Sequence, residues 1–110
     1  LSTGYLLRAL REGRHEVFDE CLAQITGVPA AEWRRALATS SVRAWVLAAR
    51  AMDVDAGAVP AAYADLVHAG RAHALKRNAL ADAIEELYGM YDGEQARLAL
   101  RRLAAPGSMS

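Results

Sequence analysis

Residues 72–76 carry the side chains of this chain that are best suited to chemistry, and they read Ala72-His73-Ala74-Leu75-Lys76. Helical residues three and four apart share a face, so in a helix Lys76 lies beside His73. An exposed imidazole nitrogen is a good nucleophile, and a neighbouring ammonium group can steady an incoming phosphoryl group. This pattern raises the hypothesis that His73 accepts a phosphoryl group, with Lys76 as its electrostatic helper.

The same string resembles the phosphoacceptor motif of histidine phosphotransfer domains, which are helical bundles with the acceptor His exposed in the middle of a helix. That family has Gly where this chain has Arg77, so that a receiver domain can approach the imidazole closely. Arg77 follows His73 by one helical turn and should obstruct that approach. We therefore keep phosphotransfer as the alternative function and expect His73 to be an ordinary solvent-facing residue.

The remaining polar clusters do not predict catalysis or metal binding. His15 and Asp19 lie four residues apart, a spacing that two metal ligands on a helix could use, but two ligands do not make a site. The adjacent pair Glu85-Glu86 should solvate a helix rather than act as an acid and a base. Neither a glycine-rich nucleophile elbow nor a phosphate loop occurs. The sequence predicts a protein that is not an enzyme and needs no cofactor or metal.

The charges are balanced, which argues against nucleic acid as a partner. The chain has 13 Lys and Arg against 13 Asp and Glu, so no net field attracts an anionic polymer. The basic residues of interest form two groups without interleaved aromatic residues: Arg71, Lys76 and Arg77, and Arg97, Arg101 and Arg102. We expect a protein partner of unknown identity, with a homodimer left open, and neither nucleic acid nor a membrane.

Length and composition favour one domain. A chain of 110 residues, 54% of them apolar, can bury a single core, which we assign to residues 1–105 and follow with a disordered tail at residues 106–110. Cys21 is the single cysteine, so a disulfide within the chain is impossible and a reducing cytoplasm is the expected location. No run of about 18 apolar residues is present, so we expect no membrane span.

Helix signals recur along the whole chain. Gly and Pro punctuate apolar stripes of helical period, and no stretch alternates as a half-buried strand would. They predict seven short helices: one through Leu10 that ends at Gly13, the second over 15–26, the third from Pro29, the fourth after Ser40 or Ser41, the fifth from Pro60 to near Gly70, the sixth over about 72–88, and the last from Asp92 to Ala105.

Two features of this pattern predict packing. The apolar stripes should form one core from Phe18, Cys21, Leu22, Ile25, Trp45, Val46, Leu66, Ile84 and Leu87. Gly27 and Gly89 each follow such a stripe, so both should end a helix with positive φ. A shift of 62 residues superposes Gly27, Glu32 and Arg35 on Gly89, Glu94 and Arg97, which hints at repeated helix pairs. We expect an α-solenoid of the HEAT or armadillo kind, or an orthogonal helical bundle.

One known pattern matches these elements. A Leu-rich helix closed by Gly13-Arg14, an aromatic-bearing helix closed by Gly27-Val28-Pro29, and a late Tyr88 before a final Ala-Arg-Leu helix resemble the C-terminal part of the bacterial domain of unknown function 2336. The resemblance implies a helical, solenoid-like bacterial protein without assigned catalysis. The Arg-rich helices that precede this pattern in the family are not in the sequence, so we expect a fragment of a longer protein.

The sequence therefore predicts an all-α, non-catalytic interaction or regulatory module of the bacterial cytoplasm. It does not indicate which surface binds the partner.

Overall fold

The computed structural model describes residues 2–106, and within that range the chain is all-α, as the sequence predicts. The helices are α1 (Thr3–Arg11), α2 (His15–Thr26), α3 (Ala30–Thr39), α4 (Ser41–Ala51), α5 (Val59–His68), α6 (Arg77–Met90) and α7 (Gly93–Ala104). A 3-10 turn, Ala56–Ala58, precedes α5. Leu1 and residues 107–110, with most of the predicted tail, lie outside the described residues. None of the described helices is long and apolar enough to cross a bilayer.

Local signals set most of the helix boundaries. The Ser2 hydroxyl accepts a hydrogen bond from the Tyr5 N–H at the start of α1, at 3.2 Å. Asp92 and Gln95 form a reciprocal capping box at the start of α7. Gly27 follows α2 with a φ of 78°, a left-handed conformation in which most side chains are strained. The prediction of positive φ at Gly27 is confirmed.

The boundaries predicted for α6 are wrong at both ends. The helix begins at Arg77 rather than near residue 72, because Gly70 turns the chain with a φ of 76° and the backbone of His73 is bound by other elements. Gly89 lies inside α6, which continues to Met90, and it is not among the glycines with positive φ. The two glycines that the 62-residue shift superposes therefore differ in conformation.

The core is built around α4, in which every residue from 44 to 49 is buried. This helix contacts α2, α3, α5, α6 and α7. Phe18 fills the space between Trp33 and Trp45, with ring centroids 6.4 and 6.1 Å away in tilted arrangements that aromatic pairs favour. The Trp45 indole donates to the Val59 carbonyl oxygen at 3.1 Å, which ties the start of α5 to this centre.

The predicted core is largely confirmed. Phe18, Cys21, Leu22, Trp45, Val46, Leu66 and Leu87 are buried in one cluster. Ile25 and Ile84 are only half-buried and pack against its outside, which corrects their assignment to the core itself. For Ile84 the reason is that α6 packs mainly on α4, and Leu87 is its one buried residue among those described.

Candidate functional site

An apolar groove runs between α5 and α6. It consists of two adjoining pockets of about 390 and 280 Å³ that share Pro60 and Leu80. The lining residues come from α5, from the segment between the helices and from α6: Pro60, Tyr63, Ala64, Val67, His68, Ala74, Leu75, Lys76, Leu80, Ala81, Ile84 and Glu85. The residues from α5 are spaced three and four apart, so they form one stripe along that helix.

The groove leaves large apolar side chains in contact with solvent. Leu75 is 43% exposed, and Leu80 and Ile84 are half-buried on the adjoining part of α6. Single exposed apolar residues are ordinary on a protein surface, whereas a contiguous apolar patch rimmed by polar residues is typical of an interaction site. This groove is therefore the candidate functional site.

The two ends of the groove carry opposite charge. Lys76, the residue before α6, carries the positive charge at one end, where His68 in the last turn of α5 also lies. Glu85 lies at the other end, beside Ile84 and Pro60. The groove is therefore apolar along its length, with a positive charge at one end and a negative charge at the other.

The wall of the groove between the helices is a non-helical segment, residues 71–76, held by hydrogen bonds to the His73 backbone. The His73 N–H donates to the Ser41 hydroxyl at 3.1 Å, and the Tyr63 hydroxyl donates to the His73 carbonyl oxygen. Burial raises the pKa of Tyr63, which keeps this phenol protonated and able to donate. These bonds replace the helical ones expected around His73.

His73 itself is in a different setting from the one that the phosphoacceptor motif predicts. It lies before α6 rather than within it, and its Nε2 is 2.9 Å from the Ala38 carbonyl oxygen. Because a carbonyl oxygen only accepts, this nitrogen carries its proton and donates it. Lys76 lines the groove whereas His73 does not, so the two side chains of the proposed pair face different surroundings. The side chain of Arg77 lies outside the described part of the chain.

A buried ion pair anchors the start of the 71–76 segment. Arg71 Nη2 lies 2.7 and 2.9 Å from the two carboxylate oxygens of Asp19, whose side chain is 4% exposed. The Trp33 indole donates to the same carboxylate at 3.1 Å, and Arg34 approaches it from the surface at 3.3 Å. The predicted basic group around Arg71 is therefore split, because this arginine is used to hold α2, α3 and the segment together.

This ion pair also explains why His15 and Asp19 do not form a pair of metal ligands. The Asp19 carboxylate is already bound by Arg71, and His15 Nδ1 lies 3.5 Å from a guanidinium nitrogen of that arginine. Between residues 2 and 106, no three His, Cys, Asp or Glu side chains are grouped as metal ligands. The sequence carried one signal of the buried carboxylate, since Asp19 shares a face of α2 with Leu22 and Thr26.

A second surface pocket lies beside the other predicted basic group. Arg101 and Arg102 line a cavity of about 600 Å³ together with Pro29, Glu32 and the 47% exposed Leu98. Glu32 places a carboxylate in the same pocket, so its charge is mixed.

The third arginine of this group faces elsewhere. Arg97 Nε donates to the Glu94 carboxylate at 2.6 Å, on the surface of α7. The three arginines therefore do not form one basic stripe.

Comparisons of this chain with models of protein families, with curated proteins and with solved structures find no match. The similarity to the bacterial domain of unknown function 2336 stays a prediction from the motifs of the sequence.

Proposed function

We propose that this chain is a non-catalytic interaction module that binds a helical segment of a protein in the groove between α5 and α6. The observation that carries the proposal is the contiguous apolar lining of that groove. An amphipathic helix in an apolar groove is a common mode of peptide recognition, with anchors at positions i, i+3 or i+4, and i+7. The expected location is the bacterial cytoplasm, where the lone Cys21 stays reduced.

The dimensions of the groove suit a short helix. The 14 residues of α6 span roughly 21 Å, and the lining residues of α5 run alongside it. A partner helix of about three to four turns would cover Leu75, Leu80 and Ile84. Each apolar side chain so covered contributes up to about 1.5–3 kcal/mol when it becomes fully buried. Three partly exposed anchors therefore supply at most about 4.5–9 kcal/mol, and the cost of association, about 4–15 kcal/mol, offsets most of it, so we expect a weak and reversible complex.

A panel of amphipathic peptides tests this proposal. Helical peptides of about 15 residues, with Leu at the anchor positions and fluorescein at one end, are titrated with the domain while anisotropy is followed. We expect saturable binding that Ala81→Glu weakens at least tenfold, because this exposed residue lines the groove and the variant places a charge there.

The matched control for that measurement is Ala79→Glu. Ala79 is also exposed on α6 but does not line the groove, and glutamate is a good helix former at either position. Binding should survive in this variant. Failure of every peptide to bind at concentrations where the chain is monomeric, or equal loss in the two variants, contradicts the proposed function.

Phosphotransfer, the alternative function, has a separate test. Incubation with a phosphorylated receiver domain or a histidine kinase should leave the domain unlabelled, because His73 Nε2 is engaged by Ala38. Label that appears on the wild-type chain and disappears in His73→Gln would reverse the order of the two functions.

A further inference from the structure

We infer that the helix which fills the groove is α6 of a second copy of this chain, so that the module self-associates as a two-fold symmetric homodimer. The inference rests on the proposed function, since it names the occupant of the same groove. It is carried by the arrangement of charges around the apolar lining.

The charges are placed symmetrically about the apolar centre of α6. Lys76 immediately precedes the helix, and Glu85 follows nine positions later. The midpoint between them falls between Leu80 and Ala81, both of which line the groove. At about 1.5 Å per residue, each charge lies roughly 7 Å from that midpoint along the axis.

A two-fold axis through this midpoint makes the surface complementary to itself. In such an interface one patch meets its own copy, so that residue i contacts residue j and j contacts i. Two antiparallel α6 helices then bring Lys76 towards Glu85 of the partner subunit at both ends. A parallel arrangement would instead place Lys76 against its own copy, and like charges repel.

The apolar centre also suits a close approach of two helices. Ala81 is small and exposed, and it lies between Leu80 and Ile84 on the groove side of α6. Small side chains at a contact shorten the distance between helices, so the larger neighbours can interdigitate across it. The dipoles of antiparallel helices attract as well. With the α5 stripe on each side, α5 and α6 of both copies form a four-helix contact.

Sedimentation velocity of the purified chain, from about 1 μM to 1 mM, tests the inference. We expect a reversible monomer–dimer equilibrium in the wild type. Ala81→Glu should weaken association at least tenfold because it introduces two like charges at the axis, whereas Ala79→Glu should change it by less than about twofold. Circular dichroism verifies that each variant is folded.

Charge reversal tests the antiparallel register itself. Lys76→Glu and Glu85→Lys should each weaken the dimer, by roughly tenfold over the two symmetric contacts. The double variant should regain wild-type affinity to within about twofold, because it restores opposite charges at both ends. Single reversals whose effects simply add in the double variant overturn this register.

The outcomes separate the inference from the proposed function. A chain that stays monomeric up to 1 mM but binds the amphipathic peptides overturns the homodimer and leaves the groove as a site for a different protein. A chain that is monomeric and binds no peptide contradicts both the homodimer and the proposed function. A dimer that Ala81→Glu and Ala79→Glu weaken equally uses another surface and also overturns the inference.

Discussion

Removal of the buried carboxylate in Asp19→Ala should destabilise the fold more than any exposed substitution. The side chain of Asp19 is 4% exposed and that of Arg71 is 15% exposed, so the change leaves a largely buried guanidinium without its counter-charge. Breaking a buried ion pair in this way costs about 3–5 kcal/mol. The Trp33 indole loses its acceptor at the same time. Since these losses share one network, we expect about 3–5 kcal/mol in total rather than their sum.

Urea denaturation, followed by circular dichroism and by the fluorescence of Trp33 and Trp45, measures this loss. A domain of this size typically has a free energy of unfolding of about 5–15 kcal/mol, so the variant should lose a third of its stability or more. The thermal midpoint should fall by roughly 15 °C or more.

Arg34→Ala is the matched control, because this arginine contacts the same carboxylate from the surface. Its side chain is 52% exposed, and the pair is 3.3 Å apart. An exposed ion pair contributes less than about 1 kcal/mol, so Arg34→Ala should be mild. The combination of Asp19→Leu with Arg71→Met should cost less than Asp19→Ala, because no charge is left buried. If Asp19→Ala is no worse than Arg34→Ala, the ion pair does not hold the 71–76 segment.

Three further predictions use the same denaturation assay. Leu22→Ala should lower the free energy of unfolding by roughly 2–5 kcal/mol, because Leu22 is fully buried. Ile84→Ala, at a half-buried position, should lower it by about 1–2 kcal/mol. Equal losses in the two variants would contradict this difference in burial. Gly27→Val should destabilise the fold by more than about 1 kcal/mol, because Gly27 has positive φ. Gly89→Ala should stabilise it by up to about 1 kcal/mol, because Gly89 lies inside α6 with open space around it. A loss of stability in Gly89→Ala would contradict the helical conformation of Gly89. Burial raises the pKa of Tyr88 to about 12, so the folded chain holds this proton more tightly than the unfolded chain does. The free energy of unfolding should therefore fall as the pH rises from about 10 to 12. Tyr88→Phe should make that decline shallower, and an unchanged slope would contradict the raised pKa.

Most helix boundaries could be predicted because their causes are local. A left-handed glycine at Gly27 and the capping box of Asp92 and Gln95 act within a few residues of the chain. The start of α6 could not be predicted in this way. Residues 72–76 have good helix propensity, but the His73 N–H donates to the Ser41 hydroxyl and the His73 carbonyl oxygen accepts from Tyr63, and these bonds hold the backbone outside a helix. Tertiary contacts override propensity here.

The prediction of a helix end at Gly89 is wrong because tertiary contacts extend α6 past this glycine. A glycine inside a helix costs only about 1 kcal/mol relative to alanine, and the contacts of Leu87 and Tyr88 in the same last turn of α6 outweigh that cost. The Tyr88 hydroxyl donates to the Val54 carbonyl oxygen at 2.7 Å, which fixes this turn to the segment before α5.

The groove was hidden in the sequence because its residues come from separate elements. The stripe of α6 is visible as a run of apolar residues that includes Leu80 and Ile84, and it predicts burial in a core. Only the positions of α5 and of the 71–76 segment reveal that this stripe stays partly open. Its charge polarity depends on Lys76, which the sequence suggested as a helper of His73 and which the fold places in the groove instead.

A concentration series of ¹H–¹⁵N correlation spectra of the wild-type chain, repeated with the amphipathic peptide added, locates the binding surface. If the groove between α5 and α6 is that surface, amide shifts should change with concentration, with peptide, or with both, and the changes should cluster on the residues that line it. Changes that cluster instead around Arg101 and Arg102, or spectra that do not change under either condition, would contradict this assignment.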